Sequence, residues 1–455
     1  MLVSTHLLLG VMRAPAVLIS GRFWAEEGSI MWSHARSSDA LDSILFNPGG
    51  GYLNLYANLT TYVASLLEPE AAPFFTAWTS FLLALLPAAV IVGLPLRISI
   101  SATWKTLISF GLLFLPAVTE PDIFANSLQM QVHFGVFAAT LMLVDFSKLN
   151  RITLLILSPL FLIAALSGAH AAVIGSVMFL TSVISQLLCR TSAERAKPRD
   201  LNTLMAGSAF VFGSIIQAAI FLINRSSLPE DVTHHRGRVP SPFATATYVV
   251  SNFSTIFSGR LLTEQILERS GFWILRSISL LLVGTLLAVF AYSTHVSLKR
   301  NSAVREMTLN CRLSYLFSEV RVQLVIAYCA STFITLFGFV SPLPNARYQT
   351  VSSVLLYFIV VFFVSKWAGK MFASFFMTTL GISSILGLAY DPWNFLTCRE
   401  PCVEWLTQTR EVDEGLRTRF EFWPLHASPP FDAPSSPPSG WCDDFNALLS
   451  WKCDG

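Results

Sequence analysis

Residues 152–188, ITLLILSPLFLIAALSGAHAAVIGSVMFLTSVISQLL, contain no Asp, Glu, Lys or Arg, and their apolar run is interrupted only by the turn SGAH at 167–170. A helix needs about 20 apolar residues to cross the ~30 Å hydrocarbon core of a bilayer. The stretch therefore reads as two membrane spans, 152–166 and 169–188. The pattern recurs along the chain of 455 residues, which is 53% hydrophobic with a mean hydropathy of +0.58. Further spans are expected at 2–19, 72–95, 102–118, 126–145, 202–223, 271–292, 322–340, 350–366 and 371–389. The expected fold is an all-α membrane protein of about eleven transmembrane helices. Its parts are a polytopic domain over 1–389 and a small tail over 390–455. The first span is the poorest, because Arg13 and Pro15 interrupt it. Either that helix is short and snorkels, or the true start codon lies upstream. No convincing small-residue cleavage site follows, which disfavours a removed signal peptide.

The connections sort by charge. Those at 96–101, 146–151, 189–201, 293–321 and 367–370, with the adjoining Lys105, Asp145 and Lys366, carry 15 of the 30 Lys and Arg against five acids, a net of +10. The alternate set holds 15 basic and 23 acidic residues, a net of −8. Lys and Arg are retained on the cytoplasmic side, so the N-terminus is expected inside and the tail outside. The outward set then includes two long helical loops, 20–71 and 224–270. Cys398, Cys402, Cys442 and Cys453 all fall in the outward tail, where two disulfides are expected in one of three pairings. A zinc site fits less well, because Cys442 and Cys453 do not form a second close pair.

In a chain with only 13% charged residues, the first outward loop places Glu26 and Glu27 side by side in GRFWAEEGSIMWSHA, residues 21–35. Trp24, Trp32 and His34 surround the pair with groups suited to a sugar-binding cleft. If the segment is helical from about residue 25, Glu27, Met31 and His34 share one face and Glu26 points elsewhere. The plainer alternatives are carboxylates at a helix N-terminus or a salt-bridged pair. The same loop continues with YLNLYANLTTYVASLL, an amphipathic stretch suited to the membrane surface. Other outward segments bring Asp122 and His133 in TEPDIFANSLQMQVHFG, His170 in SGAH, Arg260 in SGRLL, and Arg347 and Tyr348 in SPLPNARYQ. Polar groups near a membrane are costly unless paired or functional, and this set suggests one cavity opening outward. Each also has a structural reading: helix packing for His133, interfacial anchoring for Arg347. His234 and His235 read as part of a solvated loop.

No Gly-rich phosphate loop, HExxH, GxSxG or dinucleotide fingerprint is present, and nothing resembles a nucleic-acid module. Three sequons, at Asn58, Asn224 and Asn252, would matter only in a eukaryotic host.

Taken together, FWAEEG, P..GYLNL, N....QVHFG, SGAH, SGRLL and ARYQ resemble a largely uncharacterised bacterial family of polytopic membrane proteins with a WAEDG-like motif in the first outward loop. That plan is similar to the integral-membrane glycosyltransferases of the C-type fold. Glu27 stands where the family pattern has Asp, and SGAH departs from a proline-containing pattern. The resemblance implies a bacterial inner-membrane enzyme that moves a sugar from a polyprenyl-phosphate donor to an envelope acceptor such as a polysaccharide. Glu26 or Glu27 would be the base, with Arg347 on the departing phosphate, assisted by Arg260 or a divalent cation, and inversion at the anomeric centre. His34, Asp122, His133, His170 and Tyr348 would contribute to substrate binding. The competing readings are a transporter or flippase of a lipid-linked glycan, and a non-catalytic envelope-assembly protein. Span centres nearly free of Asp, Glu, Lys and Arg argue against ion-coupled transport.

Overall fold

The computed structural model describes residues 2–24, 26–47, 52–98, 100–115, 118, 123–189, 199–224, 309–338, 346–367, 403–417, 419–420 and 431–432, with isolated positions at 248–295 and 378–385. The described residues are mostly helical. In chain order the helices are α1 (Leu2–Arg13), α2 (Pro15–Leu18), a π-helical turn (Glu27–Trp32), α3 (Ser33–Ser37), α4 (Ala40–Leu45), α5 (Leu55–Ser65), α6 (Ala72–Leu83), α7 (Leu86–Gly93), α8 (Ala102–Phe114), α9 (Met130–Leu141), α10 (Arg151–Ser167), α11 (Ala169–Cys189), α12 (Arg199–Asn224), α13 (Leu309–Ser318), α14 (Val320–Gly338), α15 (Ala346–Trp367) and α16 (Trp405–Asp413). Two short strands, β1 (Arg419–Phe420) and β2 (Phe431–Asp432), pair antiparallel.

Among the described residues, three helical stretches are long and apolar enough to cross a membrane: Ala72–Gly93, Ala169–Leu188 and Leu201–Ile223. Shorter apolar helices occupy Ala102–Phe114, Met130–Leu141, Arg151–Ser167, Val320–Thr335 and Gln349–Phe362. The stretch 2–19 is not one helix: it breaks at Ala14, where the proline at the start of α2 supplies no backbone N–H. Helix α8 stops at Phe114, two residues before Pro116, because the residue preceding a proline is driven out of the helical region. The expected spans 271–292 and 371–389, the helical content of 224–270, and the four tail cysteines fall outside the described residues, apart from isolated positions.

The chain divides into two compact units. The first comprises Met1–Leu86, Pro121–Gln131 and Leu388–Gly455. Within it α5 packs on α4, α6 and the π-helical turn. Helix α5 buries Tyr56, Asn58, Thr60 and Thr61 and leaves Leu59 exposed, so its polar face is turned into the protein. Asn54 caps this helix through Ala57 N–H at 3.4 Å, and Asp39 caps α4 through Asp42 N–H at 2.8 Å.

The second unit comprises Pro87–Glu120 and Val132–Gly387. Its centre is the packing of α10, α11 and α12, joined by α13, α14 and α15. Small residues let these helices approach closely: a Cβ at Gly175 would run into the Phe210 ring, and one at Gly207 would meet Phe179 Cβ at 2.8 Å. Hydroxyls and amides tie the helices together, with Ser176 and Ser214 Oγ atoms 3.0 Å apart and Gln217 Nε2 donating to Leu166 O at 2.7 Å. Outward from this packing, Ile152, Leu155 and Ile156 on α10 and Phe212, Ile215, Leu222 and Ile223 on α12 are all exposed. Such an apolar surface suits lipid rather than water.

Candidate active site

The first unit contains the paired glutamates, and the chain enters the motif by a turn that only glycine accommodates. Gly21 has φ of +70°, and a Cβ there would meet the Phe74 ring at 2.7 Å. Beyond it the expected α-helix is instead a π-helical turn, Glu27–Trp32, passing directly into α3. Its wider winding is weaker than α-helical winding, and Ser33 hydroxyl adds support by donating to Gly28 O at 2.9 Å.

The two carboxylates have different surroundings. Glu26 is half-buried, whereas Glu27 is only 1% exposed. Glu27 Oε2 accepts from Trp24 N–H at 3.2 Å, and Oε1 accepts from Ser127 N–H at 3.0 Å and from the Ser127 hydroxyl. The Thr76 hydroxyl lies nearby and donates to Pro73 O at 3.2 Å. Burial pushes the Glu27 carboxyl above the usual carboxylate range, and these donors pull against that shift. Tyr56 closes the polar cluster with its hydroxyl 3.4 Å from Ser80 Oγ. Its phenol is pushed up mainly by burial, with the Glu27 charge adding to the effect.

The Ser127 donors are themselves fixed. Asn54 Nδ2 donates to Leu128 O at 2.8 Å, and Asn126 Oδ1 accepts from Leu128 N–H at 3.0 Å. Two residues before Ser127, Ala125 sits at φ of 51°, a left-handed conformation that is costly for a residue with a side chain. Strained backbone persists where surrounding contacts over-determine it, and the contacts at 126–128 supply that constraint.

His34 is buried and joins a different group of residues. Its Nε2 is 3.2 Å from Asp42 Oδ2, its Nδ1 is 3.4 Å from Ser38 Oγ, and its ring stacks on Phe46 at 3.7 Å. Burial lowers its basicity, and the Asp42 carboxylate opposes that.

The remaining expected residues are not brought to Glu27 by any described contact. His133 is buried in α9. In the second unit, His170 Nδ1 lies 3.0 Å from Ser331 Oγ, which lies 3.0 Å from Ser352 Oγ, while Thr335 Oγ1 is 3.4 Å from His170 Nε2. Asp122 and Arg260 lie outside the described residues, as do the side chains of Arg347 and Tyr348 in α15.

Among the described residues no group of three His, Cys, Asp or Glu is placed to hold a metal ion. Glu27 brings one carboxylate whose oxygens already accept from N–H and O–H groups, a donor set that does not fit a divalent cation. The residues that sequence reasoning missed are Thr76, Ser80 and Ser127. Their only signal is Thr76 and Ser80 one helical turn apart in an apolar stretch, and Ser127 beside Asn126. No family model, curated protein or solved structure matches the chain.

Proposed function

We propose that the protein is a multi-pass glycosyltransferase of the bacterial inner membrane, with about eleven spans, its N-terminus inside and the paired glutamates outside. In this reading a sugar on a polyprenyl phosphate is presented at the outer boundary of the bilayer. An acceptor hydroxyl attacks the anomeric carbon and the bond from that carbon to the phosphate oxygen breaks. The phosphate leaves with the electron pair, and a carboxylate takes the hydroxyl proton. One displacement inverts the anomeric centre.

The observation that carries the reading is the unequal burial of the pair. A carboxylate has about four lone-pair sites, and Glu27 already accepts three hydrogen bonds inside the protein, so its role is to anchor the motif. Glu26, one residue earlier and half-buried, is assigned as the base. The C-type resemblance supports placing the base in this loop. The test compares Glu26→Gln and Glu27→Gln in a membrane assay of sugar transfer from polyprenyl-phosphate donors. Glu26→Gln should lose about 10²–10⁴-fold in turnover, the usual worth of a positioned base, without loss of thermal stability. Full turnover in that variant removes Glu26 from the chemistry.

A further inference from the structure

Helix α16 lies in the first unit and meets the π-helical turn through Trp405, and the adjoining Arg22 and Val403 are hydrogen-bonded although 381 positions apart in sequence. Trp405, which begins α16, is 2% exposed, and its indole N–H donates to Pro69 O at 2.8 Å. The Trp405 ring meets Phe23 edge-on at 5.4 Å and Trp32 edge-on at 6.1 Å, while Phe420 of β1 stacks on it at 4.9 Å. Arg22 Nη2 donates to Val403 O at 3.3 Å.

These contacts fall on both sides of the glutamates. Arg22 and Phe23 precede the pair and Trp32 ends the π-helical turn that begins at Glu27. A π-helical turn is weaker than an α-helical one and takes its shape from what surrounds it. Edge-to-face ring pairs are directional as well as apolar, so they fix the angle at which the turn lies as well as its burial. The Glu27 hydrogen bonds fix one end of the turn; the Trp405 ring fixes the other and the strand of chain leading in.

We propose that Trp405 is a positioning residue for the paired glutamates, so that a segment far downstream completes the site built on the first loop. The proposal rests on the assignment of Glu26 as the base, and the experiment separates the two. Trp405→Ala, Trp405→Phe and Phe420→Leu are made in the full chain, and amide hydrogen exchange is read on residues 22–33 together with kcat and KM for transfer.

Trp405→Ala should speed exchange across 22–33 and leave α11 and α12 unchanged. Its kcat should fall about 10²-fold, the loss that follows a displacement near 1 Å, with KM nearly unaltered. Trp405→Phe should restore most of both. If Trp405→Ala does not fold, Phe420→Leu carries the same test with a smaller change in each readout. Unchanged exchange across 22–33 in a folded variant overturns the proposal, as does faster exchange at undiminished kcat, which would leave Trp405 a packing residue. Faster exchange in a protein whose wild type transfers no sugar upholds the positioning role and overturns the transferase reading.

Discussion

Each unit buries a polar cluster, and the two clusters do opposite work. In the second unit, His170, Ser331, Ser352 and Thr335 form a chain of hydrogen-bonding groups between regular helices whose backbones already satisfy themselves. In the first, Glu27 takes up the N–H groups of Trp24 and Ser127, backbone donors outside the regular α-helices. Polar burial therefore joins finished helices in one unit and holds an irregular segment in shape in the other. The comparison teaches that a carboxylate is buried where backbone amides lack helical partners, and that an imidazole and hydroxyls suffice where they do not.

The largest expected effect is at Glu27. Glu27→Ala orphans two buried N–H groups at about 1–3 kcal/mol each, and a thermal melt in detergent should show an early loss of the first unit. If that variant melts like wild type, the anchoring role of the carboxylate is wrong. The second unit should instead be most sensitive to crowding: Gly175→Ala forces a Cβ against Phe210 and should cost about 1–3 kcal/mol in the same measurement. A stable Gly175→Ala would mean that α11 and α12 can separate without penalty.

A smaller effect distinguishes the clusters by pH. The Glu27 carboxyl titrates higher in the folded protein than in the unfolded chain, so the native state binds the extra proton between those two values. Stability should therefore fall as pH rises from the ordinary glutamate range to the raised one, and then level off. Ser127→Ala removes a donor to the charged form and should extend that decline to higher pH, with a loss of about 1 kcal/mol near neutrality. Glu27→Gln should abolish this contribution to the slope; a slope unchanged by that substitution assigns it to another group. The smallest effect is the coupling of His170 to Ser331. A double-mutant cycle should give about 0.6 kcal/mol, the average for hydrogen bonds between membrane helices.

Much of the helical layout was legible because apolar runs of the right length have few other solutions: α10, α11 and α12 fall within three residues of the spans expected at 152–166, 169–188 and 202–223. The weakness of the stretch 2–19 was legible too, from Arg13 and Pro15, but its division into two helices at Ala14 was not. The motif was visible as two charges in an apolar chain, but their separate surroundings were not. Glu27 is buried by Ser127, a hundred residues away, and by Thr76, and no local periodicity encodes such a meeting. The π-helical turn escaped for the same reason, since its shape depends on contacts with Trp405 and the Ser127 loop. For α5, the alternation of Leu with Tyr, Asn and Thr revealed an amphipathic helix but not that its polar face would be the buried one.

The pairing of Arg22 with Val403 also has a consequence for biogenesis. At about 5–20 residues per second, the ribosome needs roughly 20–80 s to cover the 381 positions between them. During that interval Phe23 and Trp32 have been made but their aromatic partner has not, so the nascent first loop must wait with its sticky face uncovered. Folding of this unit is thus tied to synthesis of the segment around Trp405, and a chaperone able to shield those two rings would have its longest opportunity before then.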